Sequence, residues 1–158
     1  MKIRYILPLM VMLIGTGFGQ YLTYEEMIYL QKIATDSSKL DKYFFEKGFV
    51  SHHKSSNTEY RNATYKKSVD NDNYTISVSL FLYDGQIYIA EMSENEERLD
   101  YFNQIVRSFG YKETDPGVSG TTINRITYSN GIYDIYMSRS PMHLNKKDIY
   151  ILITKTLR

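Results

Sequence analysis

The sequence predicts an α+β fold: two αβββ repeats forming one antiparallel sheet of about six strands, with helices on one face. Three observations carry this expectation. Two helical stripes each end at a glycine, Gly48 and Gly110. Each is followed by apolar/polar alternation broken by turn residues. The two stretches also match at one spacing of 62 residues, with Gly48-Phe49 on Gly110-Tyr111 and Ile87-Tyr88-Ile89 on Ile149-Tyr150-Ile151.

The chain opens with a different pattern. Lys2 and Arg4 precede an uncharged apolar run, Tyr5 to Ile14, and then a glycine-rich stretch. Gly17 and Gly19 are the small residues that signal peptidase accepts, which predicts a signal peptide over 1–19 and cleavage between Gly19 and Gln20. A spanning helix needs about 20 apolar residues, and the run here is about half that. With no cysteine in the chain, a lipid anchor of the lipoprotein type is excluded. The expectation is a domain over 20–158 that works in the periplasm or outside the cell. After cleavage no membrane insertion is expected.

The first repeat is expected over about 23–92. Thr23 and Glu26 make a capping box that opens a helix through Met27, Leu30 and Ala34. Thr35 to Ser38 break its phase. A second helical stripe carries Leu40, Tyr43, Phe44 and Lys47, and Gly48 ends it as a left-handed cap. Strands are predicted over about 58–68, 73–83 and 86–92. Asn71 to Asn73 suit the first turn, and Asp84-Gly85 suits the second.

The second repeat is expected over about 93–158. Ser93 and Glu96 form a capping pattern before the stripe Leu99, Phe102, Ile105, Val106 and Phe109. Lys112 to Gly120 reads as a loop. Strands follow over about 121–129, 131–139 and 147–156, with Asn130-Gly131 at the first hairpin and a longer connection from Ser140 to Lys146. Tyr74 falls on Tyr136 at the common spacing, although the hairpins differ in length there. This organisation resembles, in outline only, the secreted β-lactamase-inhibitor protein fold and other two-repeat sheet folds with an open concave face. No motif accompanies the resemblance, so it assigns no functional residue.

Composition excludes several activities. Without Lys2 and Arg4 the chain has 17 basic and 18 acidic residues, a net charge near −1. That balance lacks the excess of Lys and Arg that nucleic acid requires. The missing cysteines exclude disulfides, thiolate metal sites and cysteine nucleophiles. No nucleophile elbow or phosphate loop is present, and neither cofactor nor metal is expected. His52-His53 would point to opposite faces of a strand, and they read as a polar loop after Gly48, as does His143 in its own loop. The carboxylates Glu91, Glu94, Glu96, Glu97 and Asp100 gather where they favour a helix N-terminus. Asp70 to Asn73 read as a turn, not a calcium loop.

What stands out is tyrosine, present 16 times with no tryptophan. Alternation puts the isoleucines around Tyr88 and Tyr150 on one face and the tyrosines on the other. Phe81 and Tyr83 join them from the neighbouring strand. With helices over the isoleucines, these four residues form an uncovered aromatic face suited to a protein or peptide. The leading expectation is therefore a non-enzymatic, exported binding domain. A secreted enzyme inhibitor or immunity-type protein, using the 140–147 loop, is the alternative. A hydrolase or small-ligand carrier without a familiar motif is the third.

Overall fold

Thr23 and Glu26 form the expected capping box. The Glu26 N–H donates to Thr23 Oγ1 at 3.2 Å, and the Thr23 N–H donates to Glu26 Oε2 at 2.8 Å. They start α1 (Tyr24–Ile33). The structure is a computed structural model that describes residues 21–56, 60–69, 74–83, 85–115, 124–142 and 146–155. The predicted signal peptide, the Gly19/Gln20 cleavage site, the 70–73 turn and His143 lie outside these residues.

Asp36 accepts from the Lys39 N–H at 3.1 Å and opens α2 (Ser37–Glu46). Gly48 ends this segment at φ 79°, a conformation open to glycine because it lacks a Cβ. Four strands follow: β1 (Val50–Ser56), β2 (Tyr60–Val69), β3 (Tyr74–Tyr83) and β4 (Gln86–Ser93). Then come α3 (Glu97–Ser108) and β5 (Lys112–Asp115), β6 (Asn124–Ser129), β7 (Tyr133–Met142) and β8 (Lys146–Lys155). Gly110, at φ 69°, stands after α3 as Gly48 stands after α2.

The strands form one antiparallel sheet in the order β1-β2-β3-β4-β8-β7-β6-β5. It therefore has eight strands, not about six. The additional two are the edges. β1 takes in His52 and His53, which the sequence suggested were loop, and β5 takes in the start of the expected 112–120 loop. All residues of both edge strands are exposed. Their ladder bonds come from one side only, so neither needs an apolar face, and alternation has nothing to record. Each edge also bulges, between Ser51 and His53 in β1 and between Glu113 and Asp115 in β5. The expected 140–146 connection is shorter too, because β7 continues through Pro141 to Met142.

The core lies between the helices and one face of the sheet. Met27, Leu30, Leu40, Phe44, Phe102 and Val106 meet Tyr65, Ile76, Val78, Leu80, Ile89, Ile135, Met137 and Ile149, Ile151 and Ile153. Phe44 stacks on Tyr65 with ring centroids 4.0 Å apart and planes 11° from parallel. Burying each such side chain contributes about 1.5–3 kcal/mol. Gln31 fixes α1 over the sheet centre by donating to the Ile153 carbonyl at 3.2 Å.

Two side chains at the start of the second half depart from expectation. Ser93 does not cap α3. It ends β4 with 3% of its surface exposed. Asn95 Oδ1 instead accepts from the Glu97 N–H at 2.9 Å. Glu91 is not part of the acidic start of α3 either. It lies buried on β4 and receives Arg98. Tyr21, Tyr101 and Phe102 surround that guanidinium, their ring centroids 4.9–5.2 Å from its carbon. Arg98 also donates to the Leu22 carbonyl at 2.7 Å, tying the segment before α1 to α3. Burial pushes the Glu91 carboxyl upward against the pull of Arg98.

Candidate functional site

The period of two in each strand places the second side-chain set on the face opposite the helices. On β3 this set is Ser77, Ser79, Phe81 and Tyr83, on β4 it is Tyr88, Ala90 and Met92, and on β8 it is Tyr150, Leu152 and Thr154. The register brings Phe81 opposite Tyr88, Ser79 opposite Ala90 and Ser77 opposite Met92. Across the sheet centre, Tyr88 faces Thr154, Ala90 faces Leu152, and Met92 faces Tyr150. Tyr136 and Ser138 extend the same face on β7, opposite Leu152 and Tyr150.

The four expected residues share this face but do not form one cluster. Phe81 and Tyr88 are direct cross-strand neighbours and both are half-buried. Tyr83 lies at the end of β3, 60% exposed. Tyr150 sits beyond the Ala90–Leu152 pair, four residues along β4 from Tyr88, roughly 13 Å at the usual strand rise. The face therefore has two aromatic centres with small side chains between them.

Local hydrogen bonds orient these rings. Tyr88 OH donates to Gln86 Oε1 at 2.7 Å, and the Gln86 amide donates to Thr154 Oγ1 and to the Lys155 carbonyl, both at 2.9 Å. Thr154 Oγ1 in turn donates to the Ile87 carbonyl at 3.0 Å. A chain of bonds thus couples Tyr88 to the β4–β8 seam. Tyr150 is half-buried, and desolvation raises its hydroxyl above the usual tyrosine value.

Ala90 and Thr154 are 3% and 1% exposed although no described helix covers them. Larger side chains on this face screen the backbone between them. Between the two aromatic centres stand Ser77, Ser79, Ala90, Leu152 and Thr154, with Lys66 directly opposite Ser77 and Asp134 directly opposite Thr154. Such a surface offers ring faces and hydroxyls, with one cation and one carboxylate at its flanks.

Sequence reasoning missed Met92, 40% exposed on this face, and also Leu152 and Tyr136. Their signal was available in the alternation of β4, β7 and β8, but it needed the β4–β8 pairing to bring the halves together. His52 and His53 lie on the exposed edge strand β1, where His53 pairs with Thr64, two strands across the sheet from Ser79 on β3. Among the described residues no group of three His, Cys, Asp or Glu side chains is placed to hold a metal ion. No described helix is long and apolar enough to cross a membrane. Comparison with family models, curated proteins and solved structures returned no match.

Proposed function

We propose that this protein is an exported, non-enzymatic interaction domain that binds a protein or peptide on its helix-free sheet face. One observation carries the reading: Phe81, Tyr88, Met92 and Tyr150 stand on a face that no described helix covers, around the small side chains of Ser79 and Ala90. Aromatic rings contribute large contact area at modest entropic cost, methionine adapts its shape to a partner, and tyrosine hydroxyls supply polar contacts at the rim. The proposed site of action is the periplasm or the exterior, after cleavage before Gln20. Intact mass of the protein recovered from the exporting cell checks that start.

We also infer that the two halves are copies of one αββββ unit, and the ladder registers support this. His53↔Thr64 in the first half has its counterpart in Asp115↔Thr127 in the second, with both bulges at the same place. Tyr65↔Val78 corresponds to Tyr128↔Ile135, and Val78↔Glu91 to Ile135↔Ile153. Between β4 and β8, Ile89↔Ile153 and Glu91↔Ile151 exchange roles about the Ala90↔Leu152 pair. β3 and β7 match at a spacing of 57, since Val78 corresponds to Ile135. Tyr74 and Tyr136, 62 apart, are thus not counterparts. On this reading Tyr88 and Tyr150 are one position used twice, and the face offers a partner two related contact points.

Recovery of partners from envelope extract tests the binding reading. Wild-type protein should retain a partner that Tyr88→Ala/Tyr150→Ala loses while keeping its thermal midpoint. Equal recovery by both proteins would remove this face from the account. An inhibition assay against secreted hydrolases separates a general adaptor from a protein that blocks one enzyme.

A further inference from the structure

A recess lies on the helix side of the sheet, where the helical layer turns a corner. α1 ends at Ile33 and α2 starts at Ser37, so Ala34 and Thr35 make a wall and not a cover. Ala63 on β2 and Leu80 and Leu82 on β3 form the floor, and Ser55 on the exposed edge strand stands across from the corner. The recess encloses about 310 Å³, at the small end of the range for ligand pockets, about 300–1,000 Å³.

Its rim carries charge of one sign. Arg61 is exposed, and its Nη1 donates to the Thr35 carbonyl at 3.3 Å. A guanidinium has five N–H donors, so this bond anchors the side chain at the mouth while others remain for a ligand. Lys54, also at the rim, is already matched: it donates to Asp41 Oδ2 at 2.6 Å, and Asp41 also accepts from Tyr65 OH at 2.9 Å. Among the described residues, no carboxylate pairs with Arg61. The recess thus combines an apolar floor, a hydroxyl-bearing wall and one anchored cation at the mouth.

We propose that this recess binds a small monocarboxylate with an aliphatic or aromatic body. The apolar body lies over Ala63, Leu80 and Leu82, and the carboxylate receives the remaining N–H groups of Arg61. A fork of parallel donors suits a planar carboxylate, and a charge-assisted bond is the stronger kind. The recess lies mainly on the helix side of the sheet and meets the aromatic face at Asn62 and Phe81.

Titration of the full chain with octanoate, followed by amide NMR shifts, tests the proposal, with octanol as the uncharged control. Octanoate should shift Thr35, Ser37, Ser55, Arg61 and Leu80 saturably, and octanol should bind more weakly. Arg61→Gln, at an exposed position, should weaken octanoate by about tenfold to a hundredfold, the scale of a lost hydrogen bond to a charged group. Ala63→Phe should abolish the shifts by filling the recess. No saturable shift at millimolar octanoate would overturn the proposal. So would equal affinity in wild type and Arg61→Gln, or shifts confined to the aromatic face.

Discussion

Arg98 donates from Nε and Nη2 to the two carboxylate oxygens of Glu91, at 2.6 and 2.9 Å, with 0% and 1% of the side chains exposed. The pair joins α3 to a central strand and, through the Leu22 backbone, holds the segment before α1 in the same place. Removing two charges from water costs several kcal/mol each, and their attraction returns this only while both are present. Arg98→Met should therefore destabilise the fold by about 3–5 kcal/mol in urea unfolding. The double variant Glu91→Leu/Arg98→Met should recover the greater part. A single variant within about 1 kcal/mol of wild type would contradict the role given to this pair.

Gly48 and Gly110 stop their helices at φ 79° and 69°, and a Cβ at either would meet nothing closer than 3.7 Å. Space is not what excludes alanine. The left-handed backbone is, at about 1–2 kcal/mol per residue. Gly48→Ala and Gly110→Ala should each cost that amount, and by nearly equal margins. Chemical denaturation measures both. A large inequality would argue against equivalent roles in the two halves.

Asp41 is held below the ordinary aspartate value, first by its hydrogen bond from Lys54 and then by that from Tyr65. The sign follows from linkage. A depressed folded-state value adds stability above the unfolded pKa and loses it as pH falls through the folded one. A carbon NMR titration should place the Asp41 midpoint below 3.8, the unperturbed value. Lys54→Met should move it up. The pair is about half exposed, so its stability contribution should stay within about 1 kcal/mol. A midpoint unchanged by Lys54→Met would reassign the shift.

Much of this fold was legible because its signals are local. The Thr23–Glu26 box and the Gly48 and Gly110 stops need only neighbouring residues. The alternation of β3, β4, β7 and β8 reports one buried face directly. The edges were not legible: Val50–Ser56 and Lys112–Asp115 bury neither face, and each bulge shifts the phase of two. Arg98 was hidden for another reason. A charged side chain on a helix reads as solvent-facing unless its partner is known, and Glu91 lies on another element. Ser93 shows the converse, a capping pattern whose serine the sheet takes up. The aromatic face was half legible. Tyr88 and Phe81 share a hairpin, but their relation to Tyr150 and Met92 depends on a β4–β8 pairing between residues about 60 apart.

Photo-crosslinking in the cell that makes the protein tests the central claim most directly. A benzophenone side chain replaces Tyr88 or Tyr150 on the open face, or Tyr29, which is 45% exposed on α1, as the helix-side control. Adducts with one discrete partner should form from positions 88 and 150 and not from 29. Equal adducts from position 29, or none from 88 and 150, would contradict the assignment of binding to the aromatic face.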